Sequence, residues 1–291
     1  MCTTGILYST LIAAAFFLML IAGRDKYERI GVMNSPEIGI VVPTLGTRPE
    51  YLAQCLRSIR GAGTSLIHIV MPISVPLPPE ISADLYDRVI ADPGTGLAAA
   101  IHTGLVTFPE PVRFINWLGD DDLLKPGSLE IISHALRNDA GVVLAYGGCD
   151  YINSTNEVLF TNKSGRYAAP LMRVGPQLIP QPGSLFRREA YEKIGGLNSE
   201  FKWAFDLDLL IRLSQVGTLK FLNLTLASFR WHDDSLSVGG RDGSVREASR
   251  IRKRFLPRWL KPVSELWELP MRSAIKYAGT KVSRRSVPPL T

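Results

Sequence analysis

The sequence contains few cysteines, a single long apolar run, and neither a low-complexity tract nor an internal repeat. Its three cysteines, Cys2, Cys55 and Cys149, lack paired spacing. This excludes a disulfide framework and a cysteine zinc site, and it suits a reducing compartment. Apolar residues make up 46% and charged residues 21% of the 291 positions, close to average globular composition. Disordered, collagen-like and polytopic membrane proteins are therefore excluded, and the length suits one large or two small domains.

The apolar run lies at the N-terminus. No charged residue precedes Arg24, and residues 6–23 are uncharged, which is slightly short of the roughly 20 residues that a membrane span needs. Basic residues follow this run and would hold the remainder in the cytoplasm if it inserts. Alternatively, the functional chain starts at Met33. We therefore expect residues 1–32 to be either a membrane anchor or an upstream extension.

The first half of the chain alternates between short apolar runs and amphipathic segments. This pattern predicts strands over 38–42, 66–71, 112–118 and 141–146, with helices starting at Pro49, Leu97 and Pro126. The second half predicts a hairpin over 151–167, strands over 183–186 and 219–224, and helices over 188–194 and 206–216. Such alternation implies an α/β fold, a Rossmann-related open and mostly parallel sheet with helices on both faces. Sites in such sheets lie beyond the carboxyl ends of the strands.

The C-terminal region is strongly basic. From Arg241 onward there are 13 Lys and Arg against 4 acids, a net charge of +9, so the overall charge of +6 leaves about −3 for the rest. Bulky apolar residues, including Trp259 and Trp267, lie among these charges, which suits short helices in the headgroup layer of an anionic membrane. Alternatively, both tryptophans pack on the body and the charges face water. Prolines at 257, 262 and 270 are expected to break this region into short pieces.

The strongest chemical signal is the run Asp120-Asp121-Asp122, which follows a predicted strand. Three adjacent carboxylates repel one another, so they favour a cation. Hard ions such as Mg²⁺ or Mn²⁺ bind carboxylate oxygens and keep positions open for phosphate. A diphosphate leaving group needs the same neutralisation. The alternative is a solvated acidic cap ahead of the helix at Pro126.

Three further segments carry candidate residues. Asp206 lies at the start of an apolar helix, where it is either a cap or a general base, and Asp208 is placed to pair with Arg212 at i+4. His232 follows Trp231 and is a candidate metal ligand. Glycines at 94 and 96 precede a helix and are placed to bring backbone N–H groups to an anion.

In their order and spacing, these motifs resemble those of family 2 glycosyltransferases of the GT-A type, over about residues 36–240. The matching segments are strand-Pro43-Thr44, the Asp92 loop and helix, Leu-Gly-Asp-Asp-Asp, Gln181-Pro-Gly-Ser-Leu-Phe-Arg, Gly195-Gly-Leu-Asn, Phe-Asp-Leu-Asp-Leu and Trp231-His232. The resemblance implies a catalytic domain over 33–240, followed by a basic helical tail over 241–291.

The resemblance also implies roles for individual residues. Those expected to contact the nucleotide sugar are Thr44, Arg48, Asp92 and Asp121. Those expected to hold Mn²⁺ or Mg²⁺ are Asp120, Asp122 and His232. Asp206 matches the catalytic base of inverting members, which transfer the sugar by direct displacement.

Two departures from the family pattern narrow the prediction. Relatives often carry an acid after the second strand that contacts the nucleobase of the donor. This chain has Met71-Pro72 there, so the identity of the nucleobase is undetermined. Processive synthases carry Gln-x-x-Arg-Trp, whereas here Phe255 takes the Gln position ahead of Arg258-Trp259. Single transfer is therefore favoured over polymerisation.

We thus expect a metal-dependent, inverting glycosyltransferase at the cytoplasmic membrane face. The expected partners are a nucleotide-sugar donor, a glycan or lipid-linked acceptor and an anionic membrane, with no nucleic acid. One alternative is a sugar-phosphate nucleotidyltransferase, although the loop after the first strand, Thr44 to Pro49, lacks the lysine usual in those enzymes. Another is a binding module without activity, which the intact acids disfavour.

Overall fold

The computed structural model describes residues 36–231 and 241–286. The predicted N-terminal segment, residues 1–32, and the candidate ligand His232 lie outside these residues. No helix within the described ranges is long and apolar enough to cross a membrane.

Strands and helices alternate along the described residues. The strands are β1 (Ile38–Pro43), β2 (Leu66–Met71), β3 (Arg88–Ala91), β4 (Phe114–Trp117), β5 (Leu123–Leu124), β6 (Val142–Ile152), β7 (Val158–Asn162), β8 (Ser184–Arg187) and β9 (Thr218–Arg230). The helices are α1 (Pro49–Ala62), α2 (Leu97–Val106), α3 (Ser128–Arg137), α4 (Ala168–Leu171), α5 (Arg188–Lys193), α6 (Phe205–Leu213), α7 (Arg241–Phe255) and α8 (Glu265–Ser286).

These strands form one open sheet in the order β3-β2-β1-β4-β8-β6-β9-β5, with β7 added beside β6. Strands β3, β2, β1 and β4 run parallel, and β6 also pairs with β9 in parallel over its whole length. Strand β8 is antiparallel to both neighbours and joins the two parallel regions. The predicted α/β sheet is therefore confirmed, and the carboxyl ends of β1 and β4 adjoin, since Val41 pairs with Trp117.

A hydrophobic core covers each face of the sheet. Along β1, Ile40 and Val42 contribute to the core under α1 and α3, whereas Val41 contributes to the core under α2 and α6. This alternation follows from the two-residue period of a strand. Because both faces of the sheet are covered, the sequence of β1 is a continuous apolar run and does not alternate between apolar and polar residues.

Three details differ from the sequence-based expectations. Strand β3 was not predicted, because three of its four residues are exposed at the sheet edge and carry no burial pattern. The predicted strand over 141–146 and the first arm of the hairpin are one long strand, β6. The expectation that Pro270 interrupts the helical structure of the tail is wrong, since α8 continues through it. A proline there removes one backbone hydrogen bond, the one to the carbonyl of Leu266, on a face of the helix where Leu266 is exposed.

Candidate active site

The three consecutive acids, Asp120 to Asp122, lie at the floor of a cleft of about 920 Å³ at the carboxyl end of β4. Asp120 and Asp122 are only 5% and 4% exposed, so the cluster is held largely away from solvent. Gly119 allows this crowding. A Cβ at that position would lie 2.9 Å from Asp121 Oδ1 and 3.0 Å from Asp122 Oδ2. Oxygens of two carboxylates therefore converge on one point beside the backbone.

The loop after β1 contacts the cluster directly. The Thr44 hydroxyl donates to Asp120 Oδ2 at 2.6 Å, and Arg48 donates to Asp120 Oδ1 at 2.7 Å and to Asp121 Oδ2 at 2.9 Å. The structure thus brings together Thr44, Arg48 and the three acids, which the sequence had separated by more than 70 positions. The guanidinium supplies positive charge to a group of carboxylates that repel one another.

A buried arginine donates hydrogen bonds to two of the three acids. Arg230, at the end of β9, is fully buried, and its backbone N–H donates to Asp122 Oδ1 at 3.0 Å. Its side chain donates to the carbonyls of Asp121 and Asn153, both at 3.0 Å, and lies over the ring of Tyr51 at 4.3 Å. No role was predicted for Arg230, because β9 meets the acids only through its antiparallel pairing with β5, in which Leu123 lies opposite Ser228.

Burial shifts the acid–base properties of the cluster. It raises the pKa of Asp120, an effect opposed by the hydrogen bond from Thr44 and the charge of Arg48. Burial, together with the charge of Asp121, raises the pKa of Asp122 well above its usual range. A cation at this position would favour the charged form of each acid.

The donor set fits a hard divalent cation. Carboxylate oxygens are the protein ligands that Mg²⁺ prefers, and it commonly takes only one or two of them and completes its shell with water and substrate phosphates. The convergence of Asp121 and Asp122 oxygens beside Gly119 provides such ligands. Within the described ranges, no group of three or more His, Cys, Asp or Glu side chains forms a complete metal cluster. A cation bound by these acids would complete its shell with water or with substrate phosphates, as Mg²⁺ commonly does.

Asp206, the predicted base, lines the same cleft and is the second residue of α6. Its Oδ2 accepts a hydrogen bond from Gln177 Nε2 at 2.8 Å, and its Oδ1 accepts one from the Leu207 N–H at 2.8 Å. Burial raises the pKa of Asp206, and these hydrogen bonds partly oppose the effect. A carboxyl with a raised pKa is a stronger base once ionised. Gln177 was missed, because no local pattern connects it to α6.

The next acid along α6 is structural. Asp208 Oδ2 accepts a hydrogen bond from Arg212 Nε at 2.7 Å and forms an ion pair with Arg212 Nη2 at 2.6 Å, and the Asp208 side chain is 1% exposed. The predicted i, i+4 pair is confirmed. Arg212 also donates to the carbonyls of Ile194 and Gly196, which ties the preceding loop to the helix.

Asp92 lies just after β3 and also lines the cleft. Its Oδ1 accepts a hydrogen bond from the Gly94 N–H at 2.8 Å, which closes a tight turn. Gly94 and Gly96 have φ of +72° and +114°, values that favour glycine, and a Cβ on either would meet no atom within 4 Å. This turn leads into α2 and leaves its backbone open to the cleft.

Aromatic side chains form another part of the cleft wall, with Trp203 and Phe205 beside Asp206 and with Tyr151, Phe229 and Trp231 around the hairpin. The ring of Tyr151 stacks on Phe160 at 4.3 Å and lies 5.2 Å from Phe229. All predicted site residues within the described ranges, Thr44, Arg48, Asp92, Asp120, Asp121, Asp122 and Asp206, therefore line one cleft that is charged on one side and aromatic on another.

The overall fold is shared with solved glycosyltransferases. A mannosyltransferase from Pyrobaculum calidifontis in complex with GDP-Man and Mn²⁺ superposes with a TM-score of 0.57 at 16% identity, covering 94% of this chain and 85% of that one. TarS 1-349 of S. aureus in complex with UDP gives a TM-score of 0.55 at 12% identity, covering 77% and 68%. The chain has the GT-A glycosyltransferase fold. The fold expected from the sequence motifs is thereby confirmed.

The chain is also similar in sequence to bacterial chondroitin synthases. The chain is 24% identical over 155 residues to a chondroitin synthase of Pasteurella multocida, covering 53% of this chain and 16% of that protein. It is 21% identical over 236 residues to a chondroitin synthase of Escherichia coli, covering 74% and 32%. This GT-A chain thus spans a third or less of the length of these relatives. No protein-family model matches it.

Proposed function

We propose that the chain is an inverting glycosyltransferase that moves a sugar from a nucleoside diphosphate sugar to a hydroxyl group of an acceptor. The observation that carries this proposal is that Asp206 and the three-acid cluster, Asp120 to Asp122, line one cleft on different elements of a GT-A fold. A direct displacement needs a base for the acceptor hydroxyl and neutralisation for the leaving diphosphate, and the cleft contains groups suited to both.

In this reaction the acceptor oxygen forms a bond to the anomeric carbon as the bond from that carbon to the diphosphate oxygen breaks. Asp206 takes the proton of the attacking hydroxyl, and its charged form is held by hydrogen bonds from Gln177 and the Leu207 N–H. Arg48 is placed to stay paired with the acids while the diphosphate binds. A divalent cation, when bound, would neutralise the charge that develops on the diphosphate.

The cation would be held by the three-acid cluster. The sequence motif favours Asp120 and Asp122 as its ligands, and the oxygens of Asp121 and Asp122 that converge beside Gly119 support Asp122 and add Asp121. Thr44, Arg48 and Asp92 would contact the nucleotide of the donor. The neighbouring structures with UDP and with GDP-Man and Mn²⁺ support a nucleotide donor and a metal for this fold. His232, proposed from the sequence as a further ligand, lies outside the described residues.

The proposal is tested by incubating the chain with Mn²⁺ and a panel of UDP-, GDP- and dTDP-sugars, with glycan and lipid-linked acceptors. Release of free nucleoside diphosphate together with a glycosylated product of inverted configuration is expected. Formation of a sugar nucleotide from a sugar phosphate and a nucleoside triphosphate would instead indicate a nucleotidyltransferase. A product that retains the donor configuration would exclude a single displacement.

The C-terminal helices are proposed to rest on an anionic membrane at its cytoplasmic face. Leu266, Leu269 and Tyr277 follow one face of α8 at i, i+3 and i+11, and they are 78%, 57% and 74% exposed. Trp259 is 75% exposed in the preceding loop. The exposed basic residues Arg258 and Lys261 flank Trp259 in the sequence, and exposed apolar and basic residues together suit the headgroup layer. The lipid-linked or glycan acceptor would be met at that surface.

The membrane proposal predicts a defined pattern in liposome sedimentation. A chain starting at Met33, which lacks the apolar N-terminal run, is expected to sediment with anionic liposomes but not with neutral ones. Binding is expected to fall as salt rises, because each basic residue near the surface contributes about 1 kcal/mol by a screened attraction. The double variant Leu266→Asp and Leu269→Asp should lose binding. Equal binding to neutral liposomes, or none to either, contradicts the proposal.

A further inference from the structure

The basic tail begins with a helix that contacts the active-site loop through one carboxylate. Glu247, in α7, accepts three backbone hydrogen bonds from the loop that precedes α6. Its Oε1 accepts from the Lys202 N–H at 3.0 Å, and its Oε2 accepts from the Trp203 and Ala204 N–H groups at 2.7 and 3.0 Å. These donors precede the first turn of α6, so a carboxylate there is also favoured by the helix dipole.

The same helix sets the space available to Trp203. Gly243 in α7 is buried, and a Cβ there would lie 2.7 Å from two carbons of the Trp203 ring. The ring therefore packs directly against the helix backbone. Further along α7, Ile251 is fully buried in the same core as Phe201. Helix α7 thus packs against both ends of the loop 201–204, with Gly243 against Trp203 and Ile251 in the core that contains Phe201.

This loop connects the tail to the chemistry of the cleft. Ala204 is the N-cap of α6, and Asp206 is the second residue of that helix. Trp203 lines the cleft together with Asp206. A shift of the loop therefore moves both the aromatic wall and the carboxylate proposed as the base.

We infer that Glu247 is a positioning residue, and that α7 sets the geometry of the acceptor side of the active site through Glu247 and Gly243. The inference rests on the proposed function insofar as it concerns catalysis. On the donor side, the hydrogen bonds of Thr44 and Arg48 described above lead to the three-acid cluster, and that of Asp92 leads to Gly94. Changes in α7 are therefore expected to affect transfer and leave donor binding in place.

The test compares Glu247→Ala with Glu200→Gln in the full chain. Glu200 is the matched control, because it also connects this region to α7, through exposed ion pairs with Arg250 and Arg254 that involve no backbone group. Glu247→Ala is expected to lower kcat by about 10- to 100-fold, since a misplacement on the order of 1 Å can cost about 10² in rate. The KM for the donor and the affinity for nucleoside diphosphate with Mn²⁺ are expected to stay within about twofold of the parent. Glu200→Gln should leave all three unchanged.

A spectroscopic measurement tests the geometry without the reaction. In the full chain labelled with 5-fluorotryptophan, the ¹⁹F signal of Trp203 is assigned through its loss in Trp203→Phe. Gly243→Ala is expected to shift that signal, although alanine favours a helix over glycine by about 1 kcal/mol and so should not unfold α7. Gly61→Ala in α1 is the control, because a Cβ at Gly61 meets no atom within 4 Å.

An unchanged Trp203 signal in both Glu247→Ala and Gly243→Ala would overturn the inference. A parallel loss of kcat and donor affinity would overturn it as well, since that is the result of general destabilisation. If the parent chain transfers no sugar to any acceptor, the proposed function fails, and the fluorine signals alone then decide whether α7 positions the loop.

Discussion

Asp206→Asn is expected to abolish sugar transfer while the fold and donor binding persist. The amide has nearly the shape of the carboxylate but cannot take the proton of the acceptor hydroxyl. Loss of a general base typically costs 10² to 10⁴ in rate, roughly. The measurement is the transfer rate at saturating donor, together with binding of the nucleoside diphosphate by calorimetry. Turnover within a factor of a few of the parent would show that Asp206 only caps α6.

The pH dependence of the parent chain tests the same residue. In the proposed reaction Asp206 acts in its ionised form, and burial raises its pKa, so the rate is expected to rise with pH through a value above the ordinary aspartate pKa of about 3.9. A rise in pH is expected to change the free energy of unfolding in the opposite direction to the rate. A carboxyl whose pKa is raised in the folded state binds its proton more tightly there, so it lowers the free energy of unfolding as pH rises through the raised pKa. Asp206→Asn should therefore not lower the melting temperature at neutral pH.

Asp208→Asn is the matched control for this prediction. Asp208 belongs to the same helix turn, but its carboxylate is buried against Arg212. Its replacement is expected to lower the melting temperature, because removing one partner of a buried pair leaves the other without its counter-charge. The transfer rate per folded molecule should remain close to that of the parent. The two substitutions thus separate the effect on the transfer rate from the effect on stability within one turn of α6.

Removal of divalent cations is expected to abolish turnover, and Mn²⁺ or Mg²⁺ is expected to restore it. Three acids, Asp120 to Asp122, crowd the floor of the cleft, with two of them almost fully buried, and the leaving diphosphate adds further negative charge. The measurement is transfer before and after treatment with EDTA, with metal added back. Full activity in a thoroughly chelated sample would contradict a metal-dependent reaction.

Direct binding of Mn²⁺, followed by electron paramagnetic resonance in the presence of nucleoside diphosphate, locates the ion. Asp122→Asn should weaken this binding by at least about tenfold, the loss that removal of even an outer-shell partner produces. The control is Asp150→Asn, because Asp150 is also an acid at a strand but pairs with Lys125 at 2.7 Å, away from the cleft. Equal Mn²⁺ affinity in both variants would place the ion elsewhere.

Much of the fold and of the cleft followed from local sequence patterns. The β-branched run before Pro43 and the acids after Trp117 were predicted at strand ends, and parallel pairing of β1 with β4 brings those ends together. Thr44, Arg48 and Asp120 could therefore be predicted to meet. Its place at the start of an apolar helix made Asp206 either a cap or a candidate base, the family resemblance favoured the base, and Asp206 lines the same cleft.

The residues that were missed act through contacts distant in sequence. Arg230 reaches the acids because β9 pairs with β5, the short strand that follows them, and Gln177 reaches Asp206 from a loop without a pattern. Glu247 was counted among the acids of a basic tail, but its partners are backbone N–H groups, which every residue carries and no sequence motif marks. The periodic pattern of apolar residues along a sequence does not predict long-range backbone contacts of this kind.

The buried Arg230 also determines when the cleft can form as the chain is synthesised. Asp122 lies 108 positions before the backbone N–H that holds it, so the floor of the cleft stays incomplete until β9 has been made and paired. Contacts between positions so far apart form slowly, because the intervening chain must be ordered before they contribute. A nascent chain that ends before β9 therefore has Thr44 and Arg48 to hold Asp120 and Asp121, but it lacks the N–H group that holds Asp122. Binding of a diphosphate sugar should be a late event in folding, and competence for it would report completion of the whole sheet.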